Sequence, residues 1–263
     1  MLSHRWIRIC TLFLLIADMG FAKHQLSTEF DYFIFAQSWL PQLCHKLRTP
    51  KGSAPTGCTS EGRYIDNDLI VHGLWPSRKV PDRSLPHLEH CAPDVPFRPL
   101  ETRRSGPNLQ LRRAWPNVYA SRDSKKLFKY HGFWHHEWKK HGTCTDMTQK
   151  EYMKANLNLH RKTRLPPVFV MAGEPVPRAE LTTALEAGVE GSVVLRCEGS
   201  YLLDVYTCYD QQQEGNLPGS RIECPNYFQS DCPENIRIRR FPDPEPAPVP
   251  LKEKSSGFSV LSF

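Results

Sequence analysis

Eight cysteines that remain once a leader is removed constrain this chain more than any other feature. An even set of thiols in an oxidising compartment staples whatever fold carries it. The sequence holds nine cysteines. Cys10 falls within residues 1–22, which read as a signal peptide: His4, Arg5 and Arg8 give a basic start, Ile9 to Ile16 an apolar stretch, and Gly20-Phe21-Ala22 a small-x-small cleavage site. The others, Cys44, Cys58, Cys91, Cys144, Cys197, Cys208, Cys224 and Cys232, read as a disulfide framework, for which sequence alone leaves about 105 pairings open. No Cys-x-x-Cys pair is present, so metal-binding cysteines are discounted. The leader's apolar run is too short to cross a bilayer and no later segment reaches spanning length. An exported protein without a membrane span is therefore expected.

At 263 residues the chain is long enough for one large domain, expected over residues 23–241. Phe30 to Gln37, Leu69 to Leu74, Val193 to Cys197 and Leu202 to Tyr209 read as strands. Helical candidates are Asn108 to Trp115, the stretch from Phe133 to Cys144, Lys150 to Leu159, and Arg178 to Ala187, closed by Gly188. Strands at both ends with helices between them do not alternate regularly, which places the chain in the α+β class. From Pro242 to Phe263 a proline-rich run predicts an extended, solvated tail.

The formal net charge is +6. That balance draws a polyanion in over long range but does not by itself select nucleic acid. Arg98, Arg103, Arg104, Arg112 and Arg113 form a denser basic stretch around Gly106-Pro107, read as a solvated loop and helix face, with phosphate tracking as the alternative.

The segment Phe133-Trp134-His135-His136-Glu137-Trp138-Lys139-Lys140-His141-Gly142-Thr143-Cys144 gathers histidines, a carboxylate and ammoniums among aromatics. Roughly sixty residues upstream, His72 lies in Val71-His72-Gly73-Leu74-Trp75-Pro76. Together they supply an acid, a base and cations, the requirements of proton transfer on an anion. A solvated helix rim with its aromatics facing the core is the plainer reading of either segment alone. A zinc site fits poorly. His136 and His141 are five apart, so at roughly 100° per residue they diverge by about 140° on a helix. His131 and His135 are four apart, but Gly132 separates them and no Glu follows His131.

His72-Gly73-Leu74-Trp75-Pro76 and Phe133-Trp134-x-His136-Glu137-Trp138-x-Lys140-His141-Gly142-Thr143-Cys144 resemble the two active-site segments of the ribonuclease T2 family, in the same order and at a fitting separation. Phe30-Asp31-Tyr32 through Gln37-Ser38-Trp39, and Glu223-Cys224-Pro225, extend the similarity from about Phe30 to Phe241. The resemblance implies a single domain with an antiparallel sheet backed by helices. It also implies the pairs Cys44 with Cys58, Cys91 with Cys144, Cys197 with Cys232, and Cys208 with Cys224, the second pinning the active-site segment.

The function implied is a secreted, metal-independent endoribonuclease that cleaves single-stranded RNA by transphosphorylation through a 2′,3′-cyclic phosphate. His141 would take the 2′-hydroxyl proton and His72 would protonate the leaving 5′-oxygen. Lys140 would stabilise the charged phosphorane, His136 would bind the phosphate, and Glu137 would orient an imidazole or the lysine. Gln37, Trp75 and Phe133 are the candidates to contact bases. No cofactor or metal is implied. The partner is RNA; DNA, which lacks the nucleophile, is not cleaved, and a monomer is expected. Ser77 stands where many relatives carry an acidic residue, so little base specificity is expected. The site of action is extracellular, or the lumen of a secretory or lysosome- or vacuole-like compartment. The competing function is a secreted RNA-binding or signalling protein on the same fold that acts without turnover.

Overall fold

The computed structural model describes residues 29–48, 58, 67–79, 87–98, 108–119, 128–169, 174–212 and 217–241. The leader at 1–22, the tail at 242–263 and the arginines Arg103 and Arg104 lie outside the described residues. The main sheet is built on β1 (Tyr32–Trp39), in which all eight residues are buried. Burial on both faces matches the unbroken apolar run Tyr32 to Ala36, while the buried Gln37 and Ser38 that follow are hydrogen-bonded. Phe33 and Phe35 face a cluster shared with helices, while Tyr32, Ile34 and Ala36 pack with Trp75 and Cys208 on the opposite face.

β2 (Leu69–Ser77) pairs with one edge of β1 and β5 (Tyr201–Gln211) with the other, both antiparallel. β5 is long enough for two partners on its far side: β4 (Val194–Glu198) runs along its first half and β6 (Pro218–Ile222) along its second. A small second sheet pairs β3 (Val176–Pro177) with β7 (Asn235–Ile236).

Five α-helices occur among the described residues. α1 (Leu40–Lys46) follows β1 directly with Pro41 in its first turn, a position where a missing N–H costs nothing. The sequence pattern had not shown this helix, because its apolar residues continue those of the strand. α2 (Asn108–Ala114), α3 (Phe128–Lys140) and α4 (Gln149–Lys162) cover one face of the sheet through Leu111, Trp134, Trp138, Tyr152 and Met153. A capping box between Thr148 and Glu151 fixes the start of α4.

α5 (Arg178–Val189) corrects one expectation. Gly188 does not close it; the left-handed capping position is Glu190, at φ 57°. Gly188 answers a packing need instead, since a Cβ there would overlap the carbonyl oxygen of Arg164, whose N–H donates to Gly188 O at 3.1 Å. The helical expectation for 133–144 is corrected too: α3 starts at Phe128 and stops at Lys140, leaving Gly142–Cys144 as a 3₁₀ turn.

Four disulfides join Cys44–Cys58, Cys91–Cys144, Cys197–Cys232 and Cys208–Cys224, the pairs that the resemblance implies. The bridges span 14, 53, 35 and 16 residues. In the chain-entropy limit the longest of these loops stabilises by about 4 kcal/mol and the shortest by about 3 kcal/mol. The longest ties the segment after β2 to the turn after α3. Among the described residues no helix is long and apolar enough to cross a membrane.

Candidate active site

Two elements converge at the sheet edge formed by β2. On β2 the pairing with β1 slips: Ala36 opposes Gly73 and Gln37 opposes Val71, so the register passes over His72. A bulge of this kind turns a side chain away from the regular alternation and recurs beside functional sites. On α3 the positions of His136, Glu137 and Lys140 share one face, while Trp134 and Trp138 are buried in the core. His141 follows the last helical residue with its N–H still bonded to Glu137 O at 2.9 Å.

Trp75 lies between the two segments. Its indole ring is 5.2 Å from both the His72 and the His141 ring, centroid to centroid. Its Nε1–H donates to Glu137 Oε2 at 3.0 Å. The other carboxylate oxygen of Glu137 sits 3.9 Å from His72 Nε2 and 4.0 Å from His136 Nε2. Glu137 is thus fully buried, bonded to the indole and flanked by two imidazoles, and it is not the partner of Lys140. That partner is Glu89, whose Oε1 lies 3.0 Å from Lys140 Nζ and 3.1 Å from His87 Nε2.

Residues 87–91 act as a strap over the end of α3. The Leu88 carbonyl accepts from His141 Nδ1 at 3.0 Å, and the His90 N–H caps Lys140 O at 2.7 Å with His90 in the left-handed region. The Leu88 bond puts the His141 proton on Nδ1, so Nε2 is the atom with a lone pair to accept a proton. Burial of the ring drives His141 far down, to about 2, against the smaller upward pull of Leu88. His141 is therefore neutral across the physiological range.

His72 is driven the other way. Burial lowers it, but hydrogen bonding and charge from Asp204 and the charge of Glu137 outweigh that and raise it above the ordinary histidine value. Ser38 Oγ lies 3.3 Å from His72 Nδ1 and donates to Asp204 Oδ1 at 2.5 Å. Burial pushes the Glu137 carboxyl up. His136, the most exposed of the expected group, is lowered by partial desolvation and by Lys140.

The structure brings His72, His136, Glu137, Lys140 and His141 together. The three expected base contacts stand differently. Phe133 and Trp75 are buried but line the site, with Phe133 5.6 Å from the His72 ring. Gln37 is fully buried: Thr163 Oγ1 donates to its Oε1 at 2.8 Å and its Nε2 faces His160 Nδ1 at 3.2 Å. Tyr119, absent from the sequence reading, is 45% exposed and meets Phe133 edge-on at 5.0 Å. Ser77 is also buried, its hydroxyl donating to Trp75 O at 3.0 Å.

Sequence reasoning missed Ser38, His87, Glu89 and Asp204. Asp204 carried a signal, a lone carboxylate inside an apolar strand pattern. So did His87-Leu88-Glu89-His90, with three titratable residues in four just before Cys91. Among the described residues no group of three or more His, Cys, Asp or Glu side chains is arranged to hold a metal ion.

A family model described as the ribonuclease T2 family matches residues 30–224. The chain belongs to that family. As a T2 ribonuclease it is similar along most of its length to extracellular ribonuclease LE of Solanum lycopersicum, at 26% identity over 88% of this chain and 96% of the relative. Intracellular ribonuclease LX of the same plant is 28% identical over 78% of this chain and 88% of its own length. Among solved structures, a mutant of ribonuclease MC1 in complex with 5′-UMP superposes with a TM-score of 0.60 at 27% identity, covering 80% of this chain and 98% of that one. Membership makes this protein an endoribonuclease on a single α+β domain. Its relatives include both extracellular and intracellular T2 ribonucleases.

Proposed function

We propose that this ribonuclease is secreted and cleaves single-stranded RNA without a metal, by attack of the 2′-hydroxyl on the adjacent phosphate to give a 2′,3′-cyclic phosphate. The observation that carries the reading is geometric: His72 and His141 pack on one indole, His141 with Nδ1–H bonded to the Leu88 carbonyl so that Nε2 faces the site as an acceptor, and His72 between the carboxylates of Asp204 and Glu137. Buried His141 stays neutral and His72 is held toward its cation. One fold can run base and acid chemistry at a single pH when environments push two titratable groups apart in this way.

In the proposed cycle His141 Nε2 takes the 2′-hydroxyl proton and His72 Nε2 delivers a proton to the departing 5′-oxygen. Lys140 exchanges Glu89 for the phosphorane oxygens, where a point charge needs no fixed fork. His136, open to solvent beside Glu137, meets the same phosphate. Glu137 favours the cationic form of His72 and, through the indole bond, fixes Trp75. Trp75 and Phe133 offer apolar edges to the flanking bases, and Gln37 serves only if it surrenders Thr163 and His160. Little base specificity follows, since Ser77 presents no group to a base.

The leader and the eight paired cysteines support export, to the exterior or to the lumen of a secretory or vacuole-like compartment. The active species is a monomer.

Purified protein incubated with RNA in EDTA and scored for cyclic-phosphate ends tests the reading. Cyclic ends are expected, with DNA and 2′-O-methyl RNA inert. Activity lost in chelator and restored by zinc overturns it.

A further inference from the structure

The sheet holds a polar pair behind His72 that the proposed reaction has not used. Ser38 on β1 and Asp204 on β5 are cross-strand partners, and both are buried. Carboxylate, hydroxyl and imidazole form a line: Asp204 Oδ1 accepts from Ser38 Oγ at 2.5 Å, and Ser38 Oγ lies 3.3 Å from His72 Nδ1. Tyr206 donates to the other oxygen of Asp204 at 3.3 Å. A buried carboxylate in the middle of a sheet costs stability unless its partners repay it, so its retention needs a reason.

Counting protons along the line gives that reason. A hydroxyl has one proton to donate. Ser38 gives it to Asp204, so toward His72 it can only accept. The hydrogen on that contact must then belong to Nδ1. His72 therefore carries a proton on Nδ1 in both charge states, and the proton that comes and goes is the one on Nε2, the nitrogen on the Glu137 side.

We propose that Ser38 and Asp204 are positioning residues for the general acid: they lock the His72 tautomer and ring orientation, so that the proton delivered to the leaving 5′-oxygen comes from Nε2. The proposal rests on the reading of His72 as that acid. No proton passes through Ser38 or Asp204. Nδ1 keeps its hydrogen while the Nε2–H bond breaks and the O–H bond of the leaving alcohol forms. The negative charge of Asp204, 3.9 Å from Nδ1, also favours the protonated ring.

Other charges bear on the same imidazole. Glu137 from α3 supports the cation, and Lys140 from α3 opposes it. His72 in turn bears on His136, on His87 from the strap and on His141. Tyr119 and Tyr206 are both held up by burial and by Asp204, so neither is an anion near neutral pH.

Ser38→Ala, Asp204→Asn and the control His72→Ala should be assayed in the full chain on two substrates sharing one nucleoside. The first is a dinucleoside phosphate, whose alkoxide must be protonated to leave. The second is the nucleoside 3′-(4-nitrophenyl phosphate), whose phenolate leaves unaided. On the first, kcat is expected to fall about tenfold for both variants with little change in KM, less than the loss of about 10²–10⁴ that removing the general acid itself would cause. The basic limb of the kcat profile should move to lower pH in Asp204→Asn. On the second substrate the loss should stay below about twofold, and Asp204→Glu should recover part of the first-substrate rate.

Equal losses on both substrates, or an unmoved basic limb, overturn the positioning role. If His72→Ala keeps its rate on the dinucleoside, the reading of His72 as the acid fails. If His72→Ala loses that rate while both variants match the wild type, only the present proposal fails. Should the variants not fold, ¹⁵N spectra of the wild-type imidazole decide the matter. A neutral His72 protonated on Nδ1 supports the proposal, and one protonated on Nε2 overturns it.

Discussion

Gly73 offers the sharpest perturbation, because it lies beneath the hydrogen bond from Trp75 to Glu137 that links β2 to α3 inside the site. A Cβ at this position would be 2.6 Å from Trp75 Nε1 and would overlap Glu137 Oε2 outright. Gly73→Ala must therefore push the indole and the carboxylate apart. Two costs follow. Overpacking a dense interior costs about 1–3 kcal/mol, and losing a hydrogen bond to a buried charged group costs about 1.5–3 kcal/mol. Together these predict roughly 2.5–6 kcal/mol, which for a domain of this size lowers Tm by at least about 5 °C. Turnover should fall as well, because Glu137 is also the carboxylate 3.9 Å from His72. Thermal unfolding and kcat on RNA are the assays. Trp75→Phe removes the N–H and makes room, so Gly73→Ala should cost at least about 1 kcal/mol less in that background, a coupling of the size expected for touching side chains. A Gly73→Ala protein with wild-type Tm and kcat, or strict additivity in the cycle, would refute the account.

Four further outcomes are expected. Because His141 is depressed to about 2 and His72 is raised, the kcat/KM profile should be a broad plateau whose acid limb lies well below pH 6.5 and whose basic limb lies above it; a narrow bell centred on 6.5 contradicts the assignment. His160 is lowered to about 4 by burial, so on acidification the unfolded chain binds a proton first and stability drains away from about pH 6.5 toward 4. His160→Gln should make urea midpoints less steep over that window, and an unchanged slope counts against the assignment. Ser77→Ala should leave rates on the sixteen dinucleoside phosphates in the same rank order, whereas loss of a hundredfold preference would show that Ser77 reads a base. Replacing Cys91 and Cys144 together by Ser should cost about 4 kcal/mol in urea unfolding and lower kcat, since the strap holding His141 and Lys140 loses its anchor; unaltered kcat would show that the strap keeps its place without the bridge.

The sequence by itself determined the chemical inventory and the class of fold. His72 and the run from Phe133 to Cys144 were legible because their chemistry sits in short contiguous segments. Four strands, β1, β2, β4 and β5, were legible from apolar-rich runs such as Tyr32 to Ala36, whereas the short β3, β6 and β7 carry no such run and were not read. Eight mature cysteines announced a framework, and the resemblance supplied a pairing that composition left open. Tertiary structure decided how the groups are wired. In sequence Glu137 could orient an imidazole or the lysine, and only packing gave it Trp75 while handing Lys140 to Glu89. Gln37, a polar residue within a strand motif, was drawn into the interior by His160 and Thr163 from a helix end more than a hundred residues away. Ser38 and Asp204 meet because antiparallel pairing sets positions 166 apart in sequence opposite one another. The opposite drift of two histidines is a property of burial and neighbouring charge. Those depend on distances between chain segments, which local patterns of residue type do not contain.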